Sequence, residues 1–269
     1  MIRLLQAASN PLLLAEALTA DDLWLADTED APSELPEDEK ALSLNAKSDL
    51  AAALRQYAKT RTSPAKVRFI EEACRKLVAE GHKVVIWTVF LGNVRYLENV
   101  LADLKPLSIT GSVPLQEGDE NCEEELSREQ RVQLFKQNPD RRVLIANMGA
   151  CSESISLHKT SQHALYLERS FNAAQFVQSL DRIHRQGMPA GTTANFIIPS
   201  IPCAIERVLN RRLMERQRLL YALLDDPMPV VGFDDADHSG VFDVDEYHSI
   251  DEVFAEVLHE IRRDAKGSR

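Results

Sequence analysis

Gln178, Arg182 and Arg185 stand at i, i+4 and i+7 of a helix that the sequence predicts from Asn172 to Gln186. At about 100° per residue they fall within about 60° of one another. Phe176, Leu180 and Ile183 cluster on the opposite side, so two guanidiniums and an amide project from a helix whose other face is core. Guanidinium forks match phosphate oxygens bidentately, which suits the cluster to a polyphosphate. The same pattern also describes an ordinary solvated face whose arginines pair with surface carboxylates. No G-x-x-x-x-G-K-[ST] occurs, and no D-E-x-H or D-E-x-D follows an apolar strand. Nothing in the chain is therefore expected to cradle β and γ phosphates or to hold Mg²⁺.

Two other patterns bear on metal chemistry. Asp235 to Glu246 places oxygen-bearing side chains at loop positions 1, 3, 5, 9 and 12 with Gly240 at position 6, as in a calcium-binding EF-hand loop. Pro227, Pro229 and Gly232 break the helix that would have to enter it, so the stretch reads as an acidic linker and no metal is assigned. Cys74, Cys122, Cys151 and Cys203 lie tens of residues apart with no C-x-x-C. That spacing excludes a zinc knuckle and argues against a disulfide scaffold.

The elements that must carry the arginine face alternate regularly. Val67, Ile70, Cys74, Leu77 and Val78 recur at helical spacing and stop at Gly81, a C-cap residue. Lys83 to Phe90 is a continuous β-branched and aromatic run, the mark of a strand buried on both faces. A helix through Val94, Leu97, Leu101 and Leu104 follows, then a short strand at Leu107 to Thr110. Ser127 and Gln130 form a capping box opening the helix of Val132, Leu134 and Phe135. Strands are expected at Arg142 to Ala146, Ala164 to Leu167 and Ala194 to Ile198, and a long helix from Cys203 to Leu224. Five strands alternating with helices imply right-handed crossovers and a mainly parallel sheet covered on both sides, an α/β sandwich.

Gln178 to Gly187 resembles motif VI of superfamily-two helicase-like ATPases, Q-x-x-x-R-x-x-R, and in particular that of the Swi/Snf-type DNA translocases. Lys83 to Phe90 with its following helix resembles motif IV, Gly111-Ser112 falls at the D-G-S loop, and Val143 to Leu157 matches motif V in position. Ala164 to Leu167 with Phe171 to Gln175 resembles the strand and helix start before motif VI. Arg3 to Leu14 resembles the segment that leads into the second lobe. The wording of Glu153 to His158 and of Phe171 to Gln175 has a bacterial cast.

The resemblance implies a RecA-like three-layer sandwich over residues 63–224, a helical extension over 1–62 containing an acidic linker at 21–45, and an acidic tail with a terminal helix over 225–269. It further implies that Arg182 and Arg185 are arginine fingers, that Gln178, Asp181, Glu153 and Ser154 contact ATP, and that Thr88, Gly111, Ser112 and Asn147 track the backbone of double-stranded DNA. ATP and Mg²⁺ would then belong only to a two-lobe motor completed by a first lobe with Walker motifs, and this chain alone would bind none. The alternative is a catalytically inert DNA- or protein-binding module that keeps the fold. Motif V departs from A-G-G-x-G-x-x-L: Cys151, Ser152 and Ser154 replace its three glycines. The hydroxyls of Ser152, Ser154 and Ser156 could meet phosphates, with Glu153 on a ribose or an arginine, and a plain polar turn explains the stretch equally.

Length and charge fit this reading. The 269 residues suffice for one such lobe with helical flanks and not for the two a motor needs. The net charge of −11 divides into −23 within residues 21–40, 117–125 and 225–269, and +12 over the other 195 residues. The acidity thus belongs to linker, loop and tail, and it does not exclude a phosphate backbone as partner. Arg207, Arg211, Arg212, Arg216 and Arg218 on the last long helix suit DNA or an acidic partner surface about equally. No apolar run reaches bilayer length and the N-terminus lacks signal-peptide order, so a cytoplasmic protein is expected.

Overall fold

Five parallel strands form one sheet in the order β2-β3-β1-β4-β5. They are β1 (Val84–Thr88), β2 (Leu107–Ile109), β3 (Val143–Asn147), β4 (His163–Tyr166) and β5 (Asn195–Ile197). A computed structural model describes residues 2–15, 49–60, 62–111, 113, 126–149, 155–184, 191–224 and 250–267. The helices are α1 (Ile2–Ser9), α2 (Asp49–Lys59), α3 (Ala65–Ala79), α4 (Leu91–Val100), α5 (Arg128–Gln137), α6 (Ala173–Ile183), α7 (Ala204–Leu224) and α8 (Ile250–Gly267). This is the RecA-like α/β architecture.

Strand alternation divides the core into two layers. Val84 and Ile86 of β1, Val143 and Ile145 of β3, and Leu165 of β4 join Val67, Ile70 and Cys74 of α3 and Val94 and Leu97 of α4. Val85 and Trp87, Leu144 and Ala146, and Ala164 and Tyr166 face the other way, onto Phe135 of α5, Phe176 and Leu180 of α6, Leu209 of α7 and Leu5 of α1. The crossover through α4 runs from β1 toward the β2 edge, whereas those through α5 and α6 run the opposite way. Right-handed connections travelling in opposite directions must lie on opposite faces, which is where these helices are found. Cys74 is buried in the first layer, and burial pushes its thiol up to about 12. It is an inert core residue.

Local signals account for most boundaries. Gly81 takes φ +92 just past α3, a conformation that glycine adopts without strain. Pro11, which has no N–H to continue a helix, ends α1 and opens a 3-10 turn over Pro11–Ala15. Ser127 Oγ accepts from the Gln130 amide at 3.2 Å while Gln130 Oε1 accepts from the Ser127 amide at 2.8 Å, a complete capping box. Ser127→Ala is expected to lower stability by about 1 kcal/mol in urea titration; an unchanged midpoint would remove the cap from the account.

One boundary differs from expectation. The helix expected to run from Asn172 to Gln186 stops at Ile183, and His184 is already extended at φ −105, ψ 109. The carbonyl of Arg182, which residue 186 would take in a longer helix, accepts instead from the Leu157 amide at 2.9 Å. Arg185 lies outside the described residues.

Two ionic features fix the outer helices. Lys66 of α3 and Glu206 of α7 form a 2.7 Å ion pair with both side chains 3% exposed. On the outer side of α7, Arg207 pairs with Glu260 at 3.2 Å and Asp264 at 2.7 Å, and Arg212 pairs with Glu256 at 2.7 Å. Arg211 also pairs with Glu256. The acidic surface that the arginine row anticipated is thus the chain's own terminal helix, anchored by fully buried Val257.

Candidate functional site

The C-terminal edge of a parallel sheet is where open α/β proteins bind ligands, since the loops that change direction open a crevice there. Three residues singled out in the sequence lie at it, joined by the end of β4. Thr88 ends β1 and is the register partner of Asn147, which ends β3. Ile109 pairs with Ala146, so Gly111 leaves β2 at the same edge, and Glu168 leaves β4 two residues after Tyr166.

The side chains on this edge are mostly committed to holding it. Thr88 is fully buried and its hydroxyl donates to Glu168 Oε1 at 2.5 Å. Asn147 is 7% exposed; its Nδ2 donates to the Val89 carbonyl at 2.7 Å and its Oδ1 accepts from the Gly149 amide at 3.0 Å. Thr88 and Asn147 thus shape the turn after β1 from inside. Gly111 is exposed, and its carbonyl accepts from Arg128 Nη2 at 2.9 Å.

The helix α6 starts at this edge and runs back along the sheet toward the start of β5. Asn172 caps it, Oδ1 accepting from the Gln175 amide at 2.9 Å. Phe176, Leu180 and Ile183 are buried, as the pattern demanded, Gln178 and Asp181 are exposed, and Arg182 is half-buried at the last turn. Through the Leu157 contact, α6 also holds the stretch that begins at Ile155. Ser112, Glu153, Ser154 and Arg185 lie outside the described residues, as do Cys122, Cys151 and the EF-hand-like stretch. Among the described residues no group of three or more His, Cys, Asp or Glu is arranged to hold a metal ion. None of their helices is long and apolar enough to cross a membrane.

Sequence reasoning missed the polar residues just past β4. Glu168, Arg169 and Ser170 are all buried. Burial raises the Glu168 carboxyl above its ordinary value, against the pull of its hydrogen bonds. Arg169 donates to Asn210 and lies 5.5 Å from the Phe176 ring centroid, and burial lowers its pKa to about 10. Three polar residues directly after an apolar strand, at the edge where such sheets bind ligands, were the available signal.

The opposite edge carries an acid-sensitive pair. The rings of His82 and His163 lie 4.4 Å apart, and burial followed by the charge of His82 lowers the His163 pKa. The folded chain then binds this proton less readily than the unfolded one. The contribution is complete above the ordinary histidine pKa of about 6.5 and is lost as pH falls through it toward the lowered folded value. Urea midpoints should therefore drop between pH 7.5 and 5.5 by more in wild type than in His163→Gln; equal drops would exclude the pair as a source.

Over 201 residues the chain is 21% identical to the DNA excision repair protein ERCC-6-like of Bos taurus, a match covering 74% of this chain and 15% of that protein. The chain is similar to a helicase C-terminal lobe. The chain spans only that small share of the relative's length, and no family model matches it. Two solved structures superpose on it with a TM-score of 0.45 each. The C-terminal part of the Fun30 ATPase domain does so at 19% identity, covering 76% of this chain and 65% of that one. The Pyrococcus furiosus Hef helicase domain does so at 15% identity, covering 60% and 31%. Superpositions that loose add nothing to the strand order. The relative is bovine and lends no support to a bacterial source.

Proposed function

We propose that this chain is the second lobe of a Swi/Snf-type, ATP-dependent DNA translocase whose first lobe, with the Walker motifs, is not among these residues. The observation that carries the reading is α6: a helix capped by Asn172 where it leaves the C-terminal edge of the sheet, with a buried apolar side and with Gln178 and Asp181 exposed and Arg182 half-buried on the other. Gln178, Asp181, Glu153 and Ser154 would meet ATP, and Arg182 and Arg185 would reach into a site completed by the other lobe. The donor set fits a polyphosphate and offers no cage for Mg²⁺, which the other lobe would hold. ATP supplies the transferable phosphoryl group; the guanidiniums stabilise charge on its oxygens as that group leaves.

Duplex DNA would run along the C-terminal edge, touched by backbone amides and hydroxyls around Gly111 and Ser112, with Thr88 and Asn147 fixing the turn beside them. Such contacts follow phosphates and do not read bases. Binding should weaken steeply with salt and vary little with sequence. The deciding experiment adds this chain to a purified first lobe with short duplex DNA and follows phosphate release. Stimulation well above either part alone supports the reading. No stimulation, with DNA still bound, favours the inert module that the loss of three motif-V glycines would produce.

A further inference from the structure

We propose that Glu168 is a positioning residue that joins the N-terminal stretch Ser9–Asn10 to the turn after β1, so that release of one loosens the other. Its consequence for DNA rests on the reading of that turn as DNA-facing.

The carboxylate gathers donors from separate parts of the chain. Besides the Thr88 hydroxyl, Glu168 Oε1 accepts from the Val89 amide at 3.0 Å, the Phe90 amide at 3.1 Å and Asn93 Nδ2 at 3.3 Å. It thereby caps α4, whose own N-cap residue, Phe90, supplies no side-chain acceptor. Asn93 carries the connection outward. Its Nδ2 also donates to Ser9 Oγ at 3.2 Å, and its Oδ1 accepts from Asn10 Nδ2 at 2.9 Å. Asn147 grips the same turn from the other side through the Val89 carbonyl.

Burial makes these links hard to replace. Ser9, Asn10, Thr88, Asn93 and Glu168 are each at most 3% exposed, so water cannot take over a lost partner without opening the edge. A charged carboxylate in such a place costs more than a neutral cap would, and it holds its donors more strongly in return. The energetic logic is that of a latch: strong while every donor is present and weakened throughout when one is withdrawn.

Amide exchange on the full chain tests this, with β3 and β4 as internal controls for global stability. Asn10→Ala, which removes a donor at the far end of the network, should accelerate exchange tenfold or more both in residues 2–14 and in 88–94, with β3 and β4 unchanged. Glu168→Gln, which keeps the shape and removes the charge, should accelerate the same two stretches. Acceleration of 2–14 alone in Asn10→Ala would overturn the proposal, and that variant decides the matter even if Glu168→Gln fails to fold. Fluorescence anisotropy with a short labelled duplex supplies the second readout. Asn10→Ala should weaken binding several-fold, and unchanged affinity alongside coupled exchange would overturn the DNA consequence. Failure of wild type to bind duplex would instead refute the functional reading, leaving the exchange result to judge the latch.

Discussion

In a complex reconstituted with a first lobe, Arg182→Ala should cut DNA-stimulated phosphate release by roughly 10³- to 10⁵-fold, the range found for arginine fingers, which is about 4–7 kcal/mol of barrier. Arg182 occupies the last turn of α6, and its backbone carbonyl accepts from the Leu157 amide. An alanine keeps that carbonyl. The variant should therefore retain the wild-type circular dichroism spectrum and bind the first lobe. Arg182→Lys should recover little, because an ammonium cannot present two parallel donors to neighbouring phosphate oxygens. Equal rates for wild type and Arg182→Ala would exclude Arg182 as a finger whatever the state of Arg185.

The second large effect is on stability. Glu206→Gln, or Lys66→Met alone, should cost about 3–5 kcal/mol, because each leaves a buried charge without its counterion. Besides Lys66, Ser200 Oγ reaches the second oxygen of Glu206 at 3.4 Å, and the charge of buried Arg169 also acts on it. Lys66→Met combined with Glu206→Leu should recover most of the loss, since apolar side chains of similar volume replace a buried pair at little cost. Urea denaturation of wild type, Lys66→Met, Glu206→Leu and the double variant forms a double-mutant cycle. If the double variant were as unstable as the sum of the singles, the pair would not be acting as a charge pair. The pair ties α3, on one face of the sheet, to the start of α7, and its loss should loosen both core layers.

Much of this fold was legible in the residues because its signals are local. A β-branched run, a capping box and a glycine after an apolar periodicity each act within a few residues, and β1, α5 and the end of α3 appear where those signals placed them. The core side of α6 was legible for the same reason: Phe176, Leu180 and Ile183 recur at helical spacing. What the sequence concealed depends on partners far along the chain. Helix α6 ends early because Leu157 takes a carbonyl from it. Thr88 reads as a hydroxyl at a strand end, and only Glu168, 80 residues away, makes it a buried donor. Glu168 itself carries no local sign of burial, since a glutamate after an apolar strand ordinarily faces solvent. Lys66 and Glu206 are 140 residues apart and lie on helices with no common periodicity.

The docking of α8 on α7 changes what the excess of basic residues can mean. A protein that binds a polyanion releases the ions condensed on it, and the slope of log affinity against log salt, about −0.9 per phosphate neutralised, counts the charges engaged. Arg207, Arg211 and Arg212 already have carboxylates of α8 as counterions. While that helix is seated they displace no ions from a duplex. A salt titration would therefore report a smaller footprint than the +12 outside the acidic segments implies, and the shortfall would measure how much of the chain's positive charge is neutralised internally.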